Sequence, residues 1–143
     1  MDTTLSPQLR LARATVGQAM HAGVIACERE TPLDEVAATM ARERVHCVVV
    51  ESGSGDGREP WGIVSDLDLV AAATVRGLEG QTAGGTAATP VLLVTPAETL
   101  ERAAQLMTEH SATHLVVVDP QTSRPVGVLS TIDVAGRLAA GDR

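Results

Sequence analysis

The octapeptide Gly62-Ile63-Val64-Ser65-Asp66-Leu67-Asp68-Leu69 returns 65 residues later as Gly127-Val128-Leu129-Ser130-Thr131-Ile132-Asp133-Val134. Each copy leads an apolar β-branched stretch into Ser, places Asp three residues on, and continues as an Ala/Val/Leu run closed by Gly77 or Gly141. That pattern predicts a strand handing over to a helix, with Ser capping the unpaired N–H groups of the first turn. A repeated unit of about 60 residues buries a sound core only against its twin, so the chain is expected to be one domain of two halves.

The remaining segments repeat in the same order. Residues 5–14 have loose helical spacing, 15–20 form a short turn, and Val24–Cys27 reads as a first strand. Thr31-Pro32-Leu33-Asp34 then supplies a cap, a Pro for the first helical position and an early acid,. Leu33, Val36, Ala37 and Met40 make one buried stripe on a helix ending near Arg44,. Val45–Val50 predicts a strand buried on both faces, 52–60 a surface hairpin, Trp61–Val64 a third strand and Leu67–Arg76 a second helix,. The Gly-, Thr- and Ala-rich stretch 77–90 reads as a linker,. In the second half Val91–Val94 matches Val24–Cys27, and Leu100, Ala103, Ala104 and Met107 match the Leu33 stripe at an offset of 67. His114 is aligned with His46 at 68, with a one-residue slip assigned to the preceding loop and a hairpin three residues shorter.

Charge and composition exclude several roles. The net charge is −7, all eleven basic residues are Arg, and none cluster, which argues against a nucleic-acid groove,. Apolar runs such as Cys47-Val48-Val49-Val50 are far short of the ~20 residues of a membrane helix,. The N-terminus shows no basic region followed by an apolar one, so a cytoplasmic chain is expected,. Cys27 and Cys47 lie in strand-like apolar runs and read as buried thiols,. With one Trp and no Phe or Tyr, a flat ligand would be held by aliphatic side chains.

The order strand, helix, strand, strand, helix, twice over, with a Gly-x-x-Ser-x-x-Asp junction and a Val triplet before an acid in each half, resembles the tandem CBS domain pair across residues 15–140. The resemblance implies a mixed α/β (α+β) fold of two β-α-β-β-α motifs packed sheet to sheet about a pseudo-twofold axis. The expected division is a helical extension over 1–14, motif 1 over 15–77, a linker over 78–85, motif 2 over 86–140 and a tail over 141–143. It also implies two clefts for adenosine nucleotides or adenosyl compounds, a regulatory role, and pairing into a flat homodimer.

Ser65 and Ser130 stand where helix N-termini offer a seat for phosphate. Asp68 and Asp133, one turn in, could accept from two neighbouring hydroxyls such as those of a ribose. The same spacing is close to a capping box, which would stabilise both helices with no ligand present. By resemblance, Ser meets phosphate and Asp grips ribose, while Ala22–Val24 and Thr89–Val91, with Val24 and Val91 at their ends, line the adenine slot. The resemblance also places a basic residue toward phosphate where His46 and His114 stand; imidazole, with an ordinary pKa of about 6.5, is a weaker and pH-dependent partner. A backbone-bonded strand-end His remains the alternative. His110 and His114 lack a third ligand for a metal, and Gly53-Ser54-Gly55-Asp56-Gly57 is not followed by a helix and reads as a hairpin tip,.

No nucleophile-base order or facing carboxylate pair suggests an enzyme. The expected function is a sensor binding AMP, ADP, ATP, S-adenosylmethionine or a similar ligand and signalling to an unidentified protein. The rival is a CBS dimer acting purely as an interaction module. With Arg44, Arg58 and Arg124 as the nearby cations, AMP or an adenosyl thioether suits the acidic chain better than ATP,.

Overall fold

The structure, a computed structural model, describes residues 6–53 and 55–140. Its first elements are α1 (Pro7–Arg13), α2 (Val16–Ala19), β1 (His21–Ala22), β2 (Ala26–Glu28), α3 (Leu33–Glu43) and β3 (Cys47–Ser52). A 3-10 turn at Gly55–Gly57 leads to β4 (Glu59–Ser65), α4 (Asp66–Arg76) and α5 (Ala83–Thr86). The chain finishes with β5 (Leu93–Val94), α6 (Leu100–His110), β6 (His114–Val118), β7 (Pro125–Ser130) and α7 (Thr131–Ala140). The architecture is mixed α/β, with a three-stranded sheet β2-β3-β4 and a four-stranded sheet β1-β7-β6-β5.

Two compact units contain these sheets, and they cut the chain differently from the sequence repeat. Val24–Val91 forms an inserted unit; the chain up to Gly23 and from Leu92 onward forms a split unit. In the inserted unit β2 runs parallel to β3, which pairs antiparallel with β4. Leu33, Val36 and Met40 from α3 bury against Val48, Val50 and Val64 of that sheet, with Ala83 of α5. In the split unit Leu100, Ala103 and Met107 of α6 pack with Leu115, Val117 and Leu129, joined by Val16 and Val134. Val48, Val49 and Val50 are all buried, as a strand covered on both faces requires,.

The stretch expected to be a linker is instead structured. Its α5 is the counterpart of α2 at an offset of 67, and the two dock alike. Leu33 and Ala83 amides donate to Gln81 and Thr31 carbonyls in the inserted unit; Leu100 and Val16 amides donate to Ala14 and Glu98 in the split unit. Small residues that read as loop are ordered by these bonds and by full burial of Ala83,.

Both long helices before the middle strands end alike. Arg44 and Ser111 adopt left-handed backbone (φ 57° and 51°), and the next amides, of Val45 and Ala112, reach back to the Met40 and Met107 carbonyls. This is a Schellman-type ending made without glycine. The start of α3 differs from expectation: the N-cap is Pro32, whose side chain has no polar atom to cap the helix, while the Thr31 hydroxyl accepts from the Glu28 amide at 3.2 Å.

Candidate functional site

β4 and β7 deliver the two serines to matching places. Cys47 pairs with Ser65 and His114 with Ser130, and a helix starts immediately after each Ser. Just before the junctions, one strand residue is left over in each pairing. Val50 pairs with Gly62 and Glu51 with Pro60, skipping Trp61; Val117 pairs with Gly127 and Val118 with Pro125, skipping Val126. Such bulges re-aim the strand ends. The glycines beside them are needed for close backbone approach. A Cβ on Gly62 would lie 2.9 Å from the Ala88 carbonyl oxygen, and one on Gly127 would lie 2.5 Å from that of His21.

At the first junction the Ser65 amide donates to Asp68 Oδ2 at 2.8 Å, and the Asp68 amide donates to Ser65 Oγ at 3.2 Å, a complete capping box. The expectation of unpaired amides does not hold here. The Asp66 amide donates to the His46 carbonyl (2.9 Å) and the Leu67 amide to Asp66 Oδ1 (2.8 Å), so all three first-turn donors are engaged. Asp68 Oδ1 has no hydrogen-bond partner among the described residues. The Asp68 side chain borders an open hollow of about 450 Å³ with Ala72, Val75, Arg76, Gln81 and Thr86.

At the second junction the Ser130 amide and hydroxyl both donate to Asp133 Oδ2, at 2.8 and 3.0 Å, and the Asp133 amide donates to Ser130 Oγ at 3.3 Å. Asp133 Oδ1 lies 3.2 Å from His21 Nε2, and the Asp133 side chain is only 8% exposed. His21 was invisible to spacing arguments, since no repeat of its side chain exists at the matching position. Only strand pairing reveals it: His21 pairs with Val128 as Ala88 pairs with Ile63.

The register also corrects the equivalence of His46 and His114. His114 stands opposite Ser130 where Cys47 stands opposite Ser65. His46 matches Thr113, because their carbonyls accept from the Asp66 and Thr131 amides. The offset is therefore 67 through the strand, with no slip, and the hairpin is two residues shorter. A run of valines carries no information to fix register from sequence. His46 is exposed and holds Nδ1 3.2 Å from Asp66 Oδ2; His114 Nδ1 lies 3.0 Å from Thr113 Oγ1.

Val24 and Val91 are half-buried at the two ends of the inserted unit, each just before a residue whose carbonyl (Ile25, Leu92) accepts from the middle strand. Of the expected cations, Arg58 is engaged with Glu28 at 2.7 Å and Glu51 at 3.8 Å. The Gly53–Gly57 stretch is a hairpin tip, with Ser54 outside the described residues. Burial raises the Cys27 thiol pKa above its ordinary value, against a lowering hydrogen bond from Thr31. Neither cysteine forms a disulfide. Among the described residues no helix is long and apolar enough to cross a membrane.

The CBS domain family model matches residues 16–74 and 86–140. No curated protein matches the chain. The CBS domain of a bacterial CNNM/CorC family Mg2+ transporter, solved in complex with ATP, is similar with a TM-score of 0.74 at 21% identity, covering 92% of each chain. A CBS-domain containing protein from Agrobacterium tumefaciens gives 0.72 at 22% identity over 86% of this chain and 92% of that one. A hexameric CBS-CP12 protein from bloom-forming cyanobacteria gives 0.76 at 19%, over 87% and 71%. At such identities the likeness is one of fold.

Proposed function

The chain belongs to the CBS domain family and carries that domain twice, and from this premise we propose that it is a regulatory module taking an adenosine-type ligand at its first strand-to-helix junction. The observation that carries this reading is Asp68: its Oδ2 completes the cap, while its Oδ1 has no partner among the described residues and its side chain borders a hollow. A carboxylate held in place by one oxygen, with the other available, suits a vicinal diol. Ala72 and Val75 in the same hollow offer aliphatic walls for a base.

The number of phosphates should be small. The first-turn amides of α4 are already used, Asp66 adds negative charge beside Ser65, and the whole chain carries −7. AMP or S-adenosylmethionine fits these conditions better than ATP, although the transporter domain above was solved with ATP,. In this reading Ser65, Asp68, Val24 and Val91 serve one cleft and Ser130, Asp133 and His114 belong to the other, with His46 turned toward Asp66. Ligand regulates by binding one conformation of the pair more tightly than another, which a partner protein then reads.

A second reading, an interaction module without ligand, is favoured by one specific observation. Ser65 with Asp68 and Ser130 with Asp133 each bond one another reciprocally, which helix capping alone accounts for,. A thermal-shift panel of AMP, ADP, ATP, S-adenosylmethionine and NAD separates the two. Saturation at 100 times Kd stabilises the folded state by about 2.7 kcal/mol. A saturable rise in Tm with one ligand, sharply reduced in Asp68→Ala, is expected; a flat panel favours the interaction module.

A further inference from the structure

We propose that His21 decides which junction takes ligand, by acting as a built-in occupant of the second junction's carboxylate. This rests on the function proposed above. Strand pairing makes His21 and Ala88 counterparts, since they pair with Val128 and Ile63 at matching strand positions. At this strand position the two junctions differ, His21 standing at the second where Ala88 stands at the first. Ala88 carries no group able to reach a carboxylate. His21 sets Nε2 3.2 Å from Asp133 Oδ1, and Asp133 Oδ2 already accepts from the Ser130 amide and hydroxyl. Both oxygens of Asp133 are thus engaged, and the side chain is 8% exposed.

The placement of His21 is fixed by its backbone. β1 lies so close over Gly127 that a Cβ there would come within 2.5 Å of the His21 carbonyl oxygen. The His21 side chain itself is 78% exposed, so it covers Asp133 without being part of the core. Truncating it removes the cover and leaves β1 in place. A diol approaching Asp133 must displace the imidazole; one approaching Asp68 Oδ1 meets no hydrogen-bond partner among the described residues.

Equilibrium titration of AMP and, separately, S-adenosylmethionine into wild type, His21→Ala, His21→Ser, Asp68→Ala and the double variant His21→Ala/Asp68→Ala tests this. Circular dichroism serves as the check on folding. For whichever probe binds, the expected numbers of sites per chain at wild-type affinity are one in wild type, two in both His21 variants, none in Asp68→Ala, whose remaining site is at least 10-fold weaker, and one in the double variant. One site in wild type and still one in the His21 variants overturns the role of His21 and leaves the proposed function standing. Two sites in wild type overturn it as well, since Asp133 would then be accessible with His21 in place. No binding of either probe to any variant sinks the proposed function and this inference with it.

Discussion

Replacing Asp133 by Ala should cost more stability than replacing Asp68, although the sequence presents the two as copies. In both cases the carboxylate that accepts the preceding Ser amide at 2.8 Å is lost. Leaving one buried N–H without its charged acceptor costs about 1–3 kcal/mol, and loss of favourable charge at the helix start adds about 0.3–1 kcal/mol. Asp133 also accepts from the Ser130 hydroxyl at 3.0 Å, worth about 1 kcal/mol,. Its contact with His21 adds a few tenths at most, because the imidazole is largely solvated,. Against this, Ser65 is the more buried serine, which narrows the gap. The expected losses are about 2 kcal/mol for Asp68→Ala and about 3 kcal/mol for Asp133→Ala. Urea unfolding with unchanged m values measures both. A loss for Asp68→Ala equal to or above that for Asp133→Ala, or under about 0.5 kcal/mol for either, would refute the hydrogen-bond accounting.

Three further outcomes follow from the geometry. Gly127→Ala forces the His21 carbonyl away and should destabilise by about 1–3 kcal/mol in the same urea assay, whereas Gly136→Ala, facing open space in a helix, should not destabilise,. Ser111→Gly relieves left-handed backbone at the end of α6 and should stabilise by about 1 kcal/mol; a loss of stability would show that the Ser111 conformation is not strained,. Leu67, Val70 and Val75 are exposed apolar side chains on α4, with 72%, 59% and 79% of their surface accessible. If a homodimer forms through these side chains, Val70→Glu should lower a dimeric mass to a monomeric one in sedimentation or light scattering; a monomeric wild type, or a dimer unaffected by the change, would refute that contact.

Much of the fold was legible because two periodicities were strong. Leu33, Val36 and Met40 are buried on α3 and Leu100, Ala103 and Met107 on α6, and the Gly-x-x-Ser-x-x-Asp repeats mark both strand-to-helix junctions. What was not legible depended on pairing between distant segments. Valine-rich strands slide in register without changing their pattern, so His46 and His114 aligned falsely. Residues 82–86 have the composition of a linker, and only docking against Arg29 and Thr31 makes them a helix. The capping box was recognisable from spacing, but the engagement of every first-turn amide of α4 was not, since the Asp66 amide uses a carbonyl twenty residues away. His21 reaches Asp133 through a two-residue strand that no periodicity could announce.

Calorimetric titration of the ligand found by the thermal-shift panel into wild type and Asp68→Ala tests the central claim most directly. The hydrogen bonds of a diol to a charged acceptor are worth about 1.5–3 kcal/mol, so the account predicts a weakening of roughly 10- to 150-fold in a variant that remains folded. Equal affinity in the two proteins would contradict it, and would leave Asp68 as a helix cap and nothing more.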